Sequence, residues 1–322
     1  MSAIEKFSEK INNLYLIAHK YYIENKTQQE IADEMNTNRV VINRFLKQAR
    51  QLGIVQIKLK GDSSEIDYLK EEFIKQFNFL KGIEIVPISY QADENMCISL
   101  MAEVLDKYIK DNNSIGIGWG VTMEKISTCL KTEHTCTNSQ FISLTGSTNQ
   151  LPSYFQTNNI VKRFADAYNS KPIFMFAPFV VDNPLNKRSL SLSRDIAQVI
   201  EIWQNLDVII SGIGAYISKS PLFKSKILSD SYLSELITHN VVGDVLTHFF
   251  DEKGKFVETD LYNKMINISI NAYLKTAIRI GIAVGSDKVQ SILGALRGEI
   301  INILITDLQT ATLIHSYMEG AR

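Results

Sequence analysis

The stretch TQQEIADEMNTNRVVINRFLKQARQLGIVQIKLK, residues 27–60, divides the chain into a short reading module and everything that serves it. Thr27-Gln28-Gln29-Glu30 spells a capping box, in which the Thr hydroxyl takes the third helical N–H and the Glu carboxylate returns to the cap. A helix therefore starts here, with Ile31, Ala32 and Met35 turned inward. Asn36-Thr37-Asn38 breaks it, because these side chains compete for backbone hydrogen bonds and favour caps. A second helix begins at Arg39, where Ile42, Phe45, Leu46 and Ala49 recur at i, i+3, i+4 and i+7. Arg39, Val40, Asn43, Arg44 and Lys47 share the opposite face. Their chemistry suits a major groove: Arg bonds guanine bidentately, Asn does the same to adenine, and Val meets a thymine methyl. Gln28 and Gln29 lie where they would position that helix. Val55, Ile57 and Leu59 then alternate with Gln56, Lys58 and Lys60, the pattern of a basic wing strand. The reading is a winged helix-turn-helix facing double-stranded DNA.

Outward toward the N-terminus, Ile11, Leu14, Tyr15, Ala18, Tyr21 and Tyr22 give residues 6–25 a helical stripe, the first helix of a three-helix unit. The charge agrees with the assignment. The whole chain carries a formal charge of −1, yet residues 1–60 hold ten Lys or Arg against six Asp or Glu. With 322 residues, of which 45% are hydrophobic, the chain exceeds one average domain and can bury a large core. Three cysteines make no paired framework, no leader-like segment opens the chain, and no long apolar run spans a bilayer. These features imply a cytoplasmic protein with no membrane association.

Gly61-Asp62-Ser63-Ser64 reads as a linker and cap, and Ile66, Leu69, Phe73 and Phe77 mark one side of the helix that follows. That helix either pairs subunits or docks on the second domain. The expected division is 1–60 for DNA binding, 61–80 for the linker helix, and 81–322 for an effector-binding and oligomerisation domain.

From residue 83 onward short apolar runs alternate with helix-length amphipathic segments. The runs are 83–89, 114–120, 140–146, 172–181, 206–214, 241–251, 278–285 and 300–307. Helices are expected near 94–110, 122–130, 158–168, 191–205, 229–240, 263–276, 286–298 and 308–319. Such alternation predicts a mostly parallel α/β sheet covered on both faces, with ligands at the carboxyl ends of the strands. Gly116-Ile117-Gly118-Trp119-Gly120-Val121-Thr122 leads straight into a helix and offers backbone N–H groups to an anion. Leu144-Thr145-Gly146-Ser147 and Ser211-Gly212-Ile213-Gly214 repeat the pattern, and Val284-Gly285-Ser286-Asp287-Lys288 adds a cation. One such loop is usually only a turn. Four in one sheet, one bearing Lys288, point to a phosphate or sugar phosphate.

These residues also carry a resemblance that covers nearly the whole chain. RFLKQARQLGIVQI, GIGWGVT, ISLTGS, DVIISGIG, HFFDEKG, VGSDKVQSILGALRG and NILITDLQTATLI occur in the order seen in SorC/DeoR-type bacterial transcriptional regulators, which the chain resembles. The resemblance implies an operator-binding regulator, a dimer or tetramer, controlled by a phosphorylated sugar or polyol held in a domain similar to sugar-phosphate isomerases and deaminases. Carried over, the implied effector site comprises Gly118, Trp119, Gly120 and Thr122, then Thr145, Gly146 and Ser147, with Asp251 and Lys288. Asp260 joins them as a second carboxylate for sugar hydroxyls, with Glu258 two residues away as its competitor. Asn38 and Asn43 stand where serines are common in the family, so Asn43 reads its own base. The rival reading is an isomerase- or deaminase-like enzyme using the same sheet. The five histidines form no compact constellation, and a fused DNA-binding module favours regulation, so no catalytic residue is expected. Cys129, His134 and Cys136 lack the paired spacing of a zinc site, and neither metal nor cofactor is expected.

Overall fold

The computed structural model describes residues 3–52, 54–55, 63–150, 152, 156–215 and 220–320, and the chain divides into two compact units, Met1–Gly61 and Asp62–Arg322. In the first, α1 (Ala3–Tyr22), α2 (Gln28–Glu34) and α3 (Arg39–Gln51) pack on one another. The capping box of α2 is formed at both ends: Glu30 N–H reaches Thr27 Oγ1 at 3.2 Å, and Thr27 N–H reaches Glu30 Oε2 at 2.7 Å. Asn38 caps α3 by accepting the Val41 N–H at 3.0 Å. Leu14, Ile17, Ala18, Ile31, Ala32, Ile42, Leu46 and Ala49 are buried between the three helices. One detail of α1 differs from the expected stripe. Tyr15 is 61% exposed and Ile17 takes its place in the core, because Leu14, Ile17, Ala18 and Tyr21 keep the i, i+3, i+4, i+7 spacing that Tyr15 breaks. The expected wing strand lies, from residue 56 on, outside the described residues.

The second unit is built on a seven-stranded sheet. Its strands are β1 (Gly82–Val86), β2 (Ser114–Ile117), β3 (Gln140–Ser143), β4 (Lys171–Ile173), β5 (Val208–Gly212), β9 (Ile278–Ile282) and β10 (Ile303–Asp307), in the order β1-β10-β9-β5-β2-β3-β4. Every neighbouring pair is parallel. Alternate residues of one strand enter different cores, as the pleat requires. Val208 and Ile210 join α5 (Glu94–Leu105), α6 (Val121–Cys129) and α7 (Thr157–Ala167), whereas Ile209 joins the opposite layer. That layer contains α4 (Ser63–Gln76), α9 (Arg194–Ile202), α12 (Ile270–Lys275), α13 (Val289–Arg297) and α14 (Leu308–Gly320). α4 packs on β1 and α14 through buried Leu69 and Phe73, so the helix after the linker is part of this unit.

Strand order reverses between β2 and β5. From β2 the chain steps outward to β3 and β4, and from β5 it steps the other way to β9 and β10. The connections leaving the carboxyl ends of β2 and β5 therefore run in opposite directions, and a crevice is left between them. A second, antiparallel sheet of β6 (Gly214–Ala215), β7 (Val241–Val245) and β8 (His248–Asp251) continues from β5.

Three expectations change here. Residues 241–251 form a hairpin rather than one strand, because the chain turns at Leu246 and Thr247 with φ of 53° and 63°. The expected helix 263–276 shrinks to α12, because residues 265–269 run extended and make isolated bridges at Val180–Met265 and Thr145–Asn267 before Ser269 caps the helix. Residues 172–181 give only the short edge strand β4, and α8 (Pro184–Ser191) follows, capped by Asn183 with Pro184 in its first turn.

Candidate functional site

In the N-terminal unit the outer face of α3 holds Arg39, Val40, Asn43, Arg44 and Lys47, all exposed, Val40 to 78%. Among the described residues none of the three cations is in an ion pair. Glu34, at the end of α2, is paired with Lys20 at 2.7 Å and Lys26 at 2.5 Å. Arg44 lies over the Phe45 ring at 5.6 Å, and Arg39 Nε meets Gln28 Oε1 at 3.5 Å, at the edge of hydrogen-bonding distance. Gln29 turns to Asp33 at 2.9 Å. The face presents exposed guanidinium and ammonium groups, in no ion pair among the described residues, beside an apolar contact, the chemistry that phosphates and base edges require.

In the second unit the loops after the neighbouring strands β2 and β3 lie side by side, next to the point where strand order reverses between β2 and β5. Gly118 is there for close approach: a Cβ would sit 2.9 Å from Leu246 Cδ2 and 3.0 Å from the Ser211 Cβ, while its N–H donates to Ile210 O at 2.8 Å. Gly120 has a φ of +118° and opens α6 with no side-chain cap. The N–H groups of Trp119, Gly120, Val121 and Thr122 have no acceptor among the described residues, leaving the positive end of α6 available.

The second loop behaves differently. Gly146 N–H donates to Ile266 O at 2.7 Å and Ser147 N–H to Ala177 O at 2.9 Å, so these groups are spent inside the protein. A Cβ on Gly146 would stand 2.4 Å from Pro178 O. What this loop offers is hydroxyls. Thr145 Oγ1 pairs with Thr157 Oγ1 at 2.9 Å, and buried Ser147 Oγ has no partner among the described residues.

Trp119, Thr145, Gly146 and Ser147 line a cleft that is partly open to solvent. Thr148, Gln156, Thr157, Phe179 and Leu222 complete the lining. Trp119 stands edge-on to Phe179 at 5.7 Å, giving the cleft an aromatic wall. Gln156 and Thr157 escaped the reading of the sequence. They lie at the start of α7, and following the β3–α7 crossover to its helix would have found them.

Lys288 follows β9 and is largely buried, with its ammonium donating to Ile213 O at 2.9 Å, and burial holds its pKa below the usual lysine value. It belongs to the loop cluster at the reversal point without lining the cleft itself. Asp251 and Asp260 do not line it either. Asp251 Oδ1 accepts the N–H groups of Lys253 and Lys255, each at 2.9 Å, which closes a turn. The Asp260 side chain is 60% exposed and paired with Lys264 at 2.6 Å. Among the described residues no group of three or more His, Cys, Asp or Glu is placed to hold a metal ion, and no helix is long and apolar enough to cross a membrane.

Residues 63–315 match the sugar-binding domain family Sugar-bind. The sorbitol operon regulator of Klebsiella pneumoniae is 27% identical across 95% of this chain and 98% of its own. The deoxyribonucleoside regulator of Bacillus subtilis is 27% identical across 91% and 94%. The crystal structure of full-length SorC, the same Klebsiella regulator, superposes with a TM-score of 0.77 across 94% of this chain and 98% of that one. These relatives are named as regulators of transcription, not as enzymes. The chain belongs to the Sugar-bind family and is a sugar-responsive transcriptional regulator of the SorC/DeoR type.

Proposed function

We propose that the protein binds operator DNA through α3 and releases or tightens it when a phosphorylated sugar or polyol occupies the cleft after β2 and β3. The observation that carries this reading is the joining of the uncapped α6 N-terminus, with its unspent N–H groups, to a cleft lined by hydroxyls and an aromatic wall. An anion suits the first, and a sugar suits the second. Residues 1–60 supply the output, 61–80 the connection, and 81–322 the sensor and the contact between copies. Dimers or tetramers would set two recognition helices in successive major grooves. As a DNA-bound regulator the protein works in the cytoplasm. Coupling of about 1–3 kcal/mol gives a roughly five- to 150-fold change in operator affinity.

Within this reading Trp119, Gly120 and Thr122 contribute phosphate-facing N–H groups, Lys288 offsets charge, and Ser147, Thr145 and Gln156 read hydroxyls. Gly118 and Gly146 give the backbone its close approaches. Asp251 and Asp260 join as ligands only if their turns open.

The test is a thermal-shift panel run beside operator binding. The names of the relatives set its first compounds: sorbitol, deoxyribose and their phosphates. Stabilisation by a phosphate and not by its parent sugar is the expected result, and larger shifts with nucleotides would sink the sugar reading. Lys288→Ala should keep DNA binding and lose the phosphate response. Arg39→Ala and Arg44→Ala should each weaken operator binding by about 1–3 kcal/mol while leaving the thermal shift intact. Unchanged operator affinity in both would remove α3 from base readout.

A further inference from the structure

The turn of the β7–β8 hairpin has the wrong residues for its conformation. Val245 pairs with His248, so Leu246 and Thr247 form a two-residue loop, and both have positive φ, 53° and 63°. Such loops favour Asn-Gly, because an L side chain is strained there and a β-branched one more so. The strain is held by specific bonds. The half-buried Asp244 carboxylate accepts the Thr247 N–H at 2.9 Å, and Asn267 Nδ2 donates to Leu246 O at 3.0 Å.

The same few atoms touch three loops of the effector cluster. Leu246 stands against Gly118, where an added Cβ would come within 2.9 Å of its Cδ2. Asn267 bridges Thr145 through the backbone. Asp244 packs on Gly214 so closely that a Cβ there would overlap its carboxylate, and the neighbouring Ile213 carbonyl is the group that holds Lys288. Strain of this kind persists only where surrounding structure over-determines it, and it gathers at sites that switch.

We propose that the Leu246–Thr247 turn is the element that senses occupancy of the cleft and passes it to the antiparallel sheet β6–β7–β8. This rests on the effector reading above. A ligand that shifts the Gly118 loop or draws Lys288 from Ile213 removes one restraint on the strained turn, which then settles differently and moves β7. β7 packs on α13, so the change leaves the cleft through an ordered element.

The experiment compares hydrogen exchange in the full chain, wild type against Thr247→Gly and Thr247→Asn, both of which ease positive φ without altering the cleft lining. Circular dichroism establishes that each is folded, and two variants guard against the loss of one. Coupling is mutual, so without ligand both variants should change exchange at least threefold in residues 118–122 and 213–214. Wild-type rates in those loops in both variants would overturn the proposal, whatever the ligand proves to be. With sorbitol 6-phosphate as probe, wild type should change exchange in 244–248 as well as in 118–122, and the variants in 118–122 alone. A wild type that responds in 118–122 but not in 244–248 also overturns it. If wild type shows no change anywhere, this probe fails the effector reading, while the ligand-free comparison still decides the role of the turn.

Discussion

His248 is the side chain whose burial has the clearest measurable consequence. It is 3% exposed, its Nε2–H donates to Ile268 O at 2.8 Å, and its ring contacts those of Phe256 and Tyr262, with Lys187 adding a nearby positive charge. Burial holds its pKa down at about 4. The unfolded chain takes the proton near the ordinary value of about 6.5, so between these limits acid favours unfolding. The stabilisation is complete above pH 6.5 or so and is lost as the pH falls toward 4. Its size is on the order of 3 kcal/mol. His248→Gln should lose less stability than wild type between pH 7 and pH 4.5 in urea denaturation, a comparison in which the other titrating groups largely cancel. Equal losses would show that the imidazole is not held neutral. Single residues were also where the sequence said least about the site. Ser147 and Gly146 stand out in a glycine loop, but which of their N–H groups are already spent depends on Ile266 and Ala177, more than a hundred and about thirty residues away. No local pattern encodes that.

At the scale of elements, the parts that folded as read are those whose signal is local. The Thr27 capping box, the Asn38 cap and the two faces of α3 all follow from spacing within a dozen residues. The alternation of strands and helices likewise predicted the parallel sheet, because buried strands are apolar on both faces. The misread segments depend on distant partners. Residues 265–269 look helical in isolation, and they run extended because Thr145 and Val180 offer bridges. The hairpin at 241–251 hid because its turn is Leu-Thr where a turn signal would be Asn-Gly. Caps make a direct prediction for output. Asn38→Ala should cost about 0.5–2 kcal/mol, seen as an earlier melt of helical signal in the N-terminal unit, and should weaken operator binding because Arg39 and Val40 occupy the freed first turn. Asn38→Ser, another good cap, should restore both. Failure of Ser to rescue would mean that Asn38 acts on DNA rather than on the helix.

For the whole molecule the governing quantity is how charge is partitioned. A chain of net −1 has no general attraction for DNA, and the excess of four positive charges in residues 1–60 must be matched by an acidic remainder. Binding should therefore depend on a small number of phosphate contacts, each releasing counterions, rather than on a broad basic surface. The salt dependence counts them. Each phosphate neutralised contributes roughly 0.9 to the slope of log affinity against log salt. Lys47 is exposed on α3 and in no ion pair among the described residues, so Lys47→Gln should lower the slope by about 0.9 for every recognition helix bound and weaken specific and scrambled DNA alike. Asn43→Ala should do the reverse, leaving the slope and reducing the preference for the operator by about 1–3 kcal/mol. A slope that drops by twice that amount for Lys47→Gln would mean that two recognition helices engage at once, which measures the number of copies on the operator from the same titration. A slope that Lys47→Gln leaves unchanged would move the phosphate contacts off this face of α3.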